Sequence, residues 1–565
     1  MKPVLVLLAT SVMFAASPTT EIKVDQAGYL AGAPKFAMVV SKAASGDFTV
    51  RRAADNKVVF SGKLGAPLDD ADSGDRVQAA DFTGLVEPGK YYLDVAGVGR
   101  SWTFPIGSDV YSRVYYLAMR SYYGQRCGTA VDLGPEFPGF KHEACHLEGA
   151  YHASSGKSGA HVSKGGWHDA GDYGRYIVNS GISTGTLLWT WEMFGARIRD
   201  IKLNLPETGN GVPDILNEVK WNLDWMLSMQ DDDGGVWHKQ TSEKFCDFIM
   251  PEKDKFISFV IGTGREPFKS SCATGDFAAV MAIAARAYKP YDAAFAERCL
   301  KAARMAWAWL EKYPNVTFDN PPGVVTGGYG DRNCGDERLW AAAELWRTSG
   351  DDAFQRYFLD HYAEFRKMLR PAGPQNWGSV SNMALWTYVL GGGKNAAANA
   401  IRQDSLAAAD QIVARAGSGY RISMTSSDYI WGSNGELANY GLQLLVADAL
   451  QKDPRYVRAA WEDLHYLLGR NTFSLSFVTQ VGENPFRHPH HRPSGADNNP
   501  EPWPGLLSGG PNHSPQDPAM QTKLAKGLPP AKMYLDDQGA YAANEVAINW
   551  NAPLVFLLAG SLPAK

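Results

Sequence analysis

A small antiparallel β-sandwich followed by an all-α toroid of six helical hairpins is the fold class that the sequence predicts. Two observations carry it. From Glu21 to about Gly107, short apolar stretches with period-two alternation are separated by Gly, Pro, Asp and Asn; after Ser108 the period becomes 3.6 over twelve helix-length segments. A third observation narrows the choice. No strand pattern alternates with those helices and no solenoid-type repeat recurs, so the helices pair with one another instead of covering a parallel sheet or stacking as a solenoid.

The chain opens MKPVLVLLATSVMFAASPTT, with one Lys before an apolar run from Val4 to Ala16 and small residues at 15–17. That pattern predicts a secretory signal peptide over residues 1–17, too short to remain as a membrane span. No later stretch is apolar enough to cross a bilayer, so a secreted or periplasmic protein, free of the membrane after leader removal, is expected.

The sandwich is expected over residues 21–107, with strands in KFAMVV, DFTVRR, KVVFSGKL, KYYLDVAG and SWTFPIG. The helical domain follows over residues 108–565. Its helices are expected near 111–123, 175–195, 213–230, 276–288, 293–313, 336–349, 352–369, 380–391, 396–415, 436–451, 454–468 and 541–559. The third begins with Pro213 in its first turn, and Leu216, Val219, Leu223, Met226 and Leu227 form its apolar stripe. Residues 471–537 form a long Pro/Gly/His-rich segment without helical period, a kind of loop that is usually functional.

Composition limits the partners. With 55 Lys+Arg against 60 Asp+Glu, the net charge of −5 leaves no basic surplus for phosphates, which argues against nucleic acid. The 17 Trp, 25 Tyr and 24 Phe beside only 20% charged residues suit a neutral ligand that stacks, such as a sugar, although most rings must serve the core.

Three segments could carry chemistry. In GGWHDAGDYGRY (165–176), Asp169 and Asp172 are three apart before a helix. A turn or first helical turn puts both carboxylates on one side, where they could activate a water or simply cap the helix. In YLDDQGAYAANEVAINWNAP (534–553), Glu545 stands among amides early in an apolar helix, as a general acid of raised pKa or as a first-turn surface acid. In SFVTQVGENPFRHPHHRPS (476–494), His490 and Arg492 alternate, so an extended chain aims both one way, toward sugar hydroxyls or toward solvent.

Taken together, DAGDYG, the S-x-V-T-x-x-G-x-N-x-x-x-x-P-H-x-R pattern ending at Arg492 and the Y-x-D-x-x-x-x-Y-x-x-N-E-x-A-x-x-x-N-A pattern around Glu545 resemble glycoside hydrolase family 9, inverting cellulases built on an (α/α)6 barrel. IKVDQAGYLAGAPKFAMVV (22–40) is similar to the immunoglobulin-like domain that precedes one bacterial branch of that family. The resemblance implies an (α/α)6 barrel catalytic domain behind an all-β immunoglobulin-like sandwich. It implies Asp172 as the general base, Asp169 as its helper with the water and Glu545 as the general acid. Asp536 joins the catalytic set as a supporting acid, His490 and Arg492 bind sugar hydroxyls, and Trp431 in YIWGSN is a stacking platform. Inversion demands carboxyl groups about 6.5–9.5 Å apart, which leaves room for a water.

Cys127, Cys145, His146 and His168 have a spacing that reads either as a zinc set or as a Cys127–Cys145 disulfide beside two histidines. The resemblance implies a structural zinc on these four residues, bracing the loop of Asp169 and Asp172. Asp331, Asn333, Asp336 and Glu337 in GYGDRNCGDERLW gather hard oxygens that suit calcium or, equally, cap a helix. Cys246, Cys272, Cys299 and Cys334 read as small buried side chains.

The expected activity is inverting, internal hydrolysis of β-1,4 bonds in cellulose or soluble β-glucan by a monomer. An exo-acting β-glucosidase or exo-β-glucosaminidase is the alternative within the same chemistry. A non-catalytic carbohydrate-binding protein is the alternative of another class, and the presence of all four carboxylates argues against it.

Overall fold

Two antiparallel sheets face each other between Ile22 and Gly107 in the computed structural model, which describes residues 17–42, 44 and 46–564; the body of the expected leader lies outside these residues. One sheet runs in the order Ile22–Lys23, Phe36–Val39, Asp75–Asp81, Leu68–Asp70. The other runs Tyr29–Leu30, Phe104–Gly107, Gly89–Val95, Asp47–Arg52, Val58–Lys63, and only its first pair is parallel. Inward side chains alternate along the strands, and Tyr29, Phe48, Val50, Phe82, Leu93 and Phe104 fill the space between the sheets.

The sandwich is fastened to the helical domain by buried polar groups. His465 Nδ1 lies 2.7 Å from Asp25 Oδ2, and the Tyr111 hydroxyl donates to the same oxygen at 3.1 Å. The Gln26 side chain accepts from Glu483 N and Asn484 N and donates to Ser474 O, gripping the segment that leads to His490.

Each predicted helical span holds a helix. They are α1 Ser112–Gly124, α2 Ile177–Ile198, α3 Asp214–Ser228, α4 Ser271–Tyr288, α5 Ala293–Lys312, α6 Gly335–Ser349, α7 Asp352–Phe365, α8 Ser381–Leu390, α9 Ala396–Arg415, α10 Ser433–Leu450, α11 Pro454–Leu467 and a C-terminal helix Ile548–Ser561. Helices α2, α4, α6, α8, α10 and the C-terminal helix each touch the next, and the last returns to α2; α1, α3, α5, α7, α9 and α11 pack outside them. This is the closed double ring of an (α/α)6 barrel. Inner helix α4 is buried nearly all round because both its faces meet protein, whereas the outer helix α5 carries a single stripe. Side-chain caps stop several of them: Ser270 accepts from Ala273 N and Asp292 from Phe295 N.

The structure departs from the sequence reading in four places. Pro213 is the N-cap of α3 and not its first helical residue. The helical domain contains strands: Gly149–Tyr151, Ser258–Ile261, Lys239–Thr241 and Arg175–Tyr176 form one sheet, so α2 begins at 177. These strands are two to four residues long, too short to impose a visible period. The expected helix 541–559 is broken into Tyr541–Asn544 and Ile548–Ser561, with Glu545 in extended conformation between them. Finally, Cys272 and Cys334 are joined in a disulfide that ties the start of α4 to the N-cap of α6, and Cys246 is only partly buried. Sequence cannot show that residues 62 apart meet, because the meeting is made by the ring of helices.

Candidate active site

A cavity of about 890 Å³ opens at one end of the ring and is lined by Asp169, Asp172, His490, Arg492 and Glu545 together with Trp431. Three chain segments converge on it.

The first is the 165–176 loop. Its shape comes from buried anchors: Arg175 donates to Ser163 O and Gly165 O, Trp167 Nε1 donates to Glu218, and Asp169 N closes the loop on Gly174 O. Neither aspartate lies in a helical turn, since the loop enters a strand before α2. Asp169 accepts the Asn179 amide on Oδ1 at 2.5 Å and the Tyr329 hydroxyl on Oδ2 at 2.6 Å, so both of its oxygens are engaged. The hydrogen bonds to Asp172, from Gly174 N and Tyr176 OH, both fall on Oδ2, which leaves Oδ1 available to a water. Burial, followed by the Asp172 charge, pushes the Asp169 pKa up to about 8.

The second and third segments meet each other and then the first. His490 N donates to Asn544 O, and Gly509 N donates to Glu545 O. Gly171 lies against them so closely that a Cβ there would sit 1.9 Å from His490 O, so no other residue fits between the two catalytic segments. Glu545 keeps some surface toward the cavity but is otherwise enclosed. Burial, then the Asp172 and Asp169 charges, raise its pKa to about 8, against the opposing Gly171 N–H and Arg492. An acid that retains its proton at neutral pH thus faces a carboxylate with a free oxygen.

The remaining predicted residues divide by role. His490 donates Nδ1–H to Gln538 O at 2.7 Å and burial lowers its pKa, so the ring is neutral with Nε2 free. Arg492 does not continue an extended strand; it opens a short helical turn, and its Nε and Nη1 donate to Cys246 O and Gly171 O. Asp536 is not among the cavity-lining residues. Its carboxylate accepts from Arg487 N, His488 N and Asn544 Nδ2, which pins one segment to the other and makes it a positioning residue. Trp431 is 39% exposed in the cavity wall.

Sequence reading missed Tyr176, Tyr329, Asn179, Phe245 and Trp377. Tyr329 holds a left-handed backbone (φ 45°) to reach Asp169, a strained position typical of functional loops. The only trace it left was its place in the GYGDRNCGDE segment, which drew attention for its acids. The Lys239 ammonium donates to Asn320 Oδ1, Thr326 and Gly327 O, holding the chain just before Tyr329.

Among the described residues, two groups could hold metal ions. The ligand atoms of Cys127, Cys145, His146 and His168 lie within 4.8 Å of one another, and both Cys are free, which removes the disulfide alternative. Cys127 Sγ is 3.8 Å from His146 Nδ1, and Cys145 Sγ is 3.8 Å from His168 Nε2. Tetrahedral zinc would place such pairs roughly 3.5–3.7 Å apart. Asp254 Oδ2 sits 3.3 Å from His146 Nε2, the carboxylate backing that fixes a ligating tautomer.

At the second group, Asn333 Oδ1 accepts from Gly335 N. Asp336 Oδ2 accepts from Val380 N. Asp276 from α4, which sequence reading did not include, has both carboxyl oxygens buried without a partner, as does Glu337, and Asp331 Oδ2 is likewise unpartnered. Burial and the neighbouring acids raise the pKa values of Asp276 and Glu337 well above normal.

Comparison with known proteins agrees with this geometry. Residues 111–558 match the model of glycosyl hydrolase family 9 and residues 17–100 that of the cellulase N-terminal ig-like domain. The chain is 37% identical to endoglucanase D of Acetivibrio thermocellus over 96% of its own length and 83% of that protein. It is 36% identical to a cellodextrinase of Butyrivibrio fibrisolvens over 96% of this chain and 100% of that one. A solved zinc-binding triple mutant of endoglucanase J30, also of family 9, superposes with a TM-score of 0.88 at 34% identity, covering 95% of this chain and all of that one. With its acids paired across one cavity of a closed double ring, the chain belongs to glycosyl hydrolase family 9 and is a glycoside hydrolase with an N-terminal immunoglobulin-like domain.

Proposed function

We propose that the protein is an exported endo-β-1,4-glucanase that hydrolyses cellulose or soluble β-glucan with inversion. The observation that supports this most strongly is the pairing of Asp172, with a free oxygen, and protonated Glu545 across a cavity walled by Trp431, Trp377 and Phe245. Asp172 takes a proton from a water as the water oxygen bonds to the anomeric carbon. The glycosidic bond breaks on the opposite face, and Glu545 gives its proton to the departing oxygen. Asp169, clamped by Tyr329 and Asn179, orients that water. His490 Nε2 and Arg492 Nη2 hold sugar hydroxyls beside the cleaved bond, while the rings stack on the apolar sugar faces.

Time courses on cello-oligosaccharides and chitosan oligosaccharides, with anomers read by NMR, test the reading. Internal cleavage of the glucan series with α-anomeric products is expected. Release of single units from one end would make the protein an exo-glucosidase, and cleavage of the chitosan series alone would make it a glucosaminidase.

Zinc on Cys127, Cys145, His146 and His168 would act as a structural cross-link, with no part in bond cleavage. It braces the active loop because Cys127 bonds to Gly165 and Gly166 and His168 precedes Asp169. Calcium would suit the oxygens of Asp276, Asp331, Asp336 and Glu337. Metal analysis of purified protein is expected to find about one zinc per chain. Cys127→Ser should lose the metal and melt at lower temperature, and unchanged zinc content in that variant would overturn the assignment. No helix among the described residues is long and apolar enough to cross a membrane.

A further inference from the structure

One acid in the cleft has no part in the hydrolytic steps. Glu436 stands in the first turn of α10 and lines the same cavity as Asp172 and Glu545. Its Oε1 accepts one hydrogen bond, from Asn376 Nδ2 at 3.3 Å. Among the described residues no lysine, arginine or histidine forms an ion pair with it. Nearby Asp428, by contrast, receives three donors on Oδ2, from Thr425 N, Thr425 Oγ1 and Tyr440 OH. Glu436 is therefore the member of this pair whose hydrogen-bonding capacity is unspent.

Burial first, and then Asp428, push its pKa up to about 8, so at neutral pH it is a carboxylic acid able both to donate and to accept. Its hydrogen bond comes from Asn376, whereas Asp172 is held by Gly174 N and Tyr176 OH, so the two acids of the cleft have separate supports. The wall around it is nevertheless continuous with the bond-breaking centre. Trp377 lies edge-on to Tyr329, at 5.2 Å, and the Tyr329 hydroxyl holds Asp169. Asn376, Asn439, Trp377 and Trp431 line the same cavity. Rings for the apolar face of a sugar, with an acid and two amides at the edges for its hydroxyls, make up a pyranose site.

We propose that Glu436 is a specificity-determining residue, binding a neutral hydroxyl of a sugar unit removed from the cleaved bond and so selecting substrate by length. The assignment rests on the β-glucanase reading above. A neutral hydroxyl suits a group that donates and accepts, whereas the ammonium of an amino sugar offers donors only.

Kinetics on cello-oligosaccharides of two to six units, for the wild type, Glu436→Gln and Glu436→Ala, test it. Glu436→Ala should lower kcat/KM about tenfold on the longer substrates, mainly through KM, and by less than about twofold on the shortest one cleaved. Glu436→Gln, which keeps a donor and an acceptor, should stay within about threefold of wild type throughout. Glu436→Met, of similar volume without the oxygens, repeats the test if the alanine variant does not fold. A loss equal at every length, a loss in kcat alone, or a glutamine variant as impaired as alanine would overturn the assignment and leave the β-glucanase reading intact. A wild type inert on every cello-oligosaccharide would overturn that reading and this assignment with it.

Discussion

Glu545→Gln is expected to lower kcat on a β-glucan by about 10²–10⁴-fold with little change in KM, because it removes the proton donor and keeps the shape. The pH profile supplies the sharper test. Burial, reinforced by Asp172 and Asp169, raises the Glu545 pKa to about 8. An acid with a raised pKa keeps its proton below that value, so the wild type is competent at neutral pH. As pH rises through about 8 the proton is lost, and kcat/KM should fall about tenfold per unit. Asp169, also raised to about 8, titrates over the same range. In Glu545→Gln the alkaline limb should flatten. A substrate whose leaving group needs no protonation, such as a dinitrophenyl cellobioside, should be cleaved at a rate much closer to wild type. Wild-type rates on β-glucan, or an unchanged alkaline limb in the variant, would remove Glu545 from the role of acid.

The second large effect is expected at Asp172. Asp172→Asn takes away the oxygen that accepts the water's proton and should cost a similar 10²–10⁴-fold, roughly, in kcat. Here the activated aryl substrate should give no recovery, since water must still be deprotonated whatever the leaving group. That contrast separates base from acid. Asp169 has both oxygens engaged by Tyr329 and Asn179, so it orients more than it abstracts. Tyr329→Phe, which loosens Asp169, should accordingly cost less than Asp172→Asn. If the aryl substrate rescued Asp172→Asn and left Glu545→Gln inactive, the two roles would have to be exchanged.

The architecture was legible because it rests on local patterns. A side chain reveals its face through its spacing, so amphipathic helices such as α5 and α11 and the six-residue strand Asp47–Arg52 follow from periodicity. The carboxylates and His490 were legible for another reason: they sit in segments whose residue order matches a family pattern. Very short strands were not legible, since two or three residues carry no period. The break before Ile548 was hidden as well. The stretch from Tyr541 to Ser561 is apolar enough to read as one helix, and what opens it is pairing of Glu545 and its neighbours with residues 490, 508 and 509.

Residue types and their order were thus enough for two domains, a ring of helical hairpins, the acids and the two Cys with two His. Contacts between distant segments had to be seen in three dimensions. They assign the free oxygen to Asp172 and the engaged ones to Asp169, turn Asp536 and much of Arg492 into braces, close Cys272 on Cys334, and bring Asp276 to Glu337 and Glu436 to the cleft. The division has a physical cause. A helix or strand is written in neighbours three or two residues apart. A pKa, a hydrogen-bond partner or a cavity wall depends on which atoms lie within a few ångströms after the ring has closed, and chain order does not encode that directly.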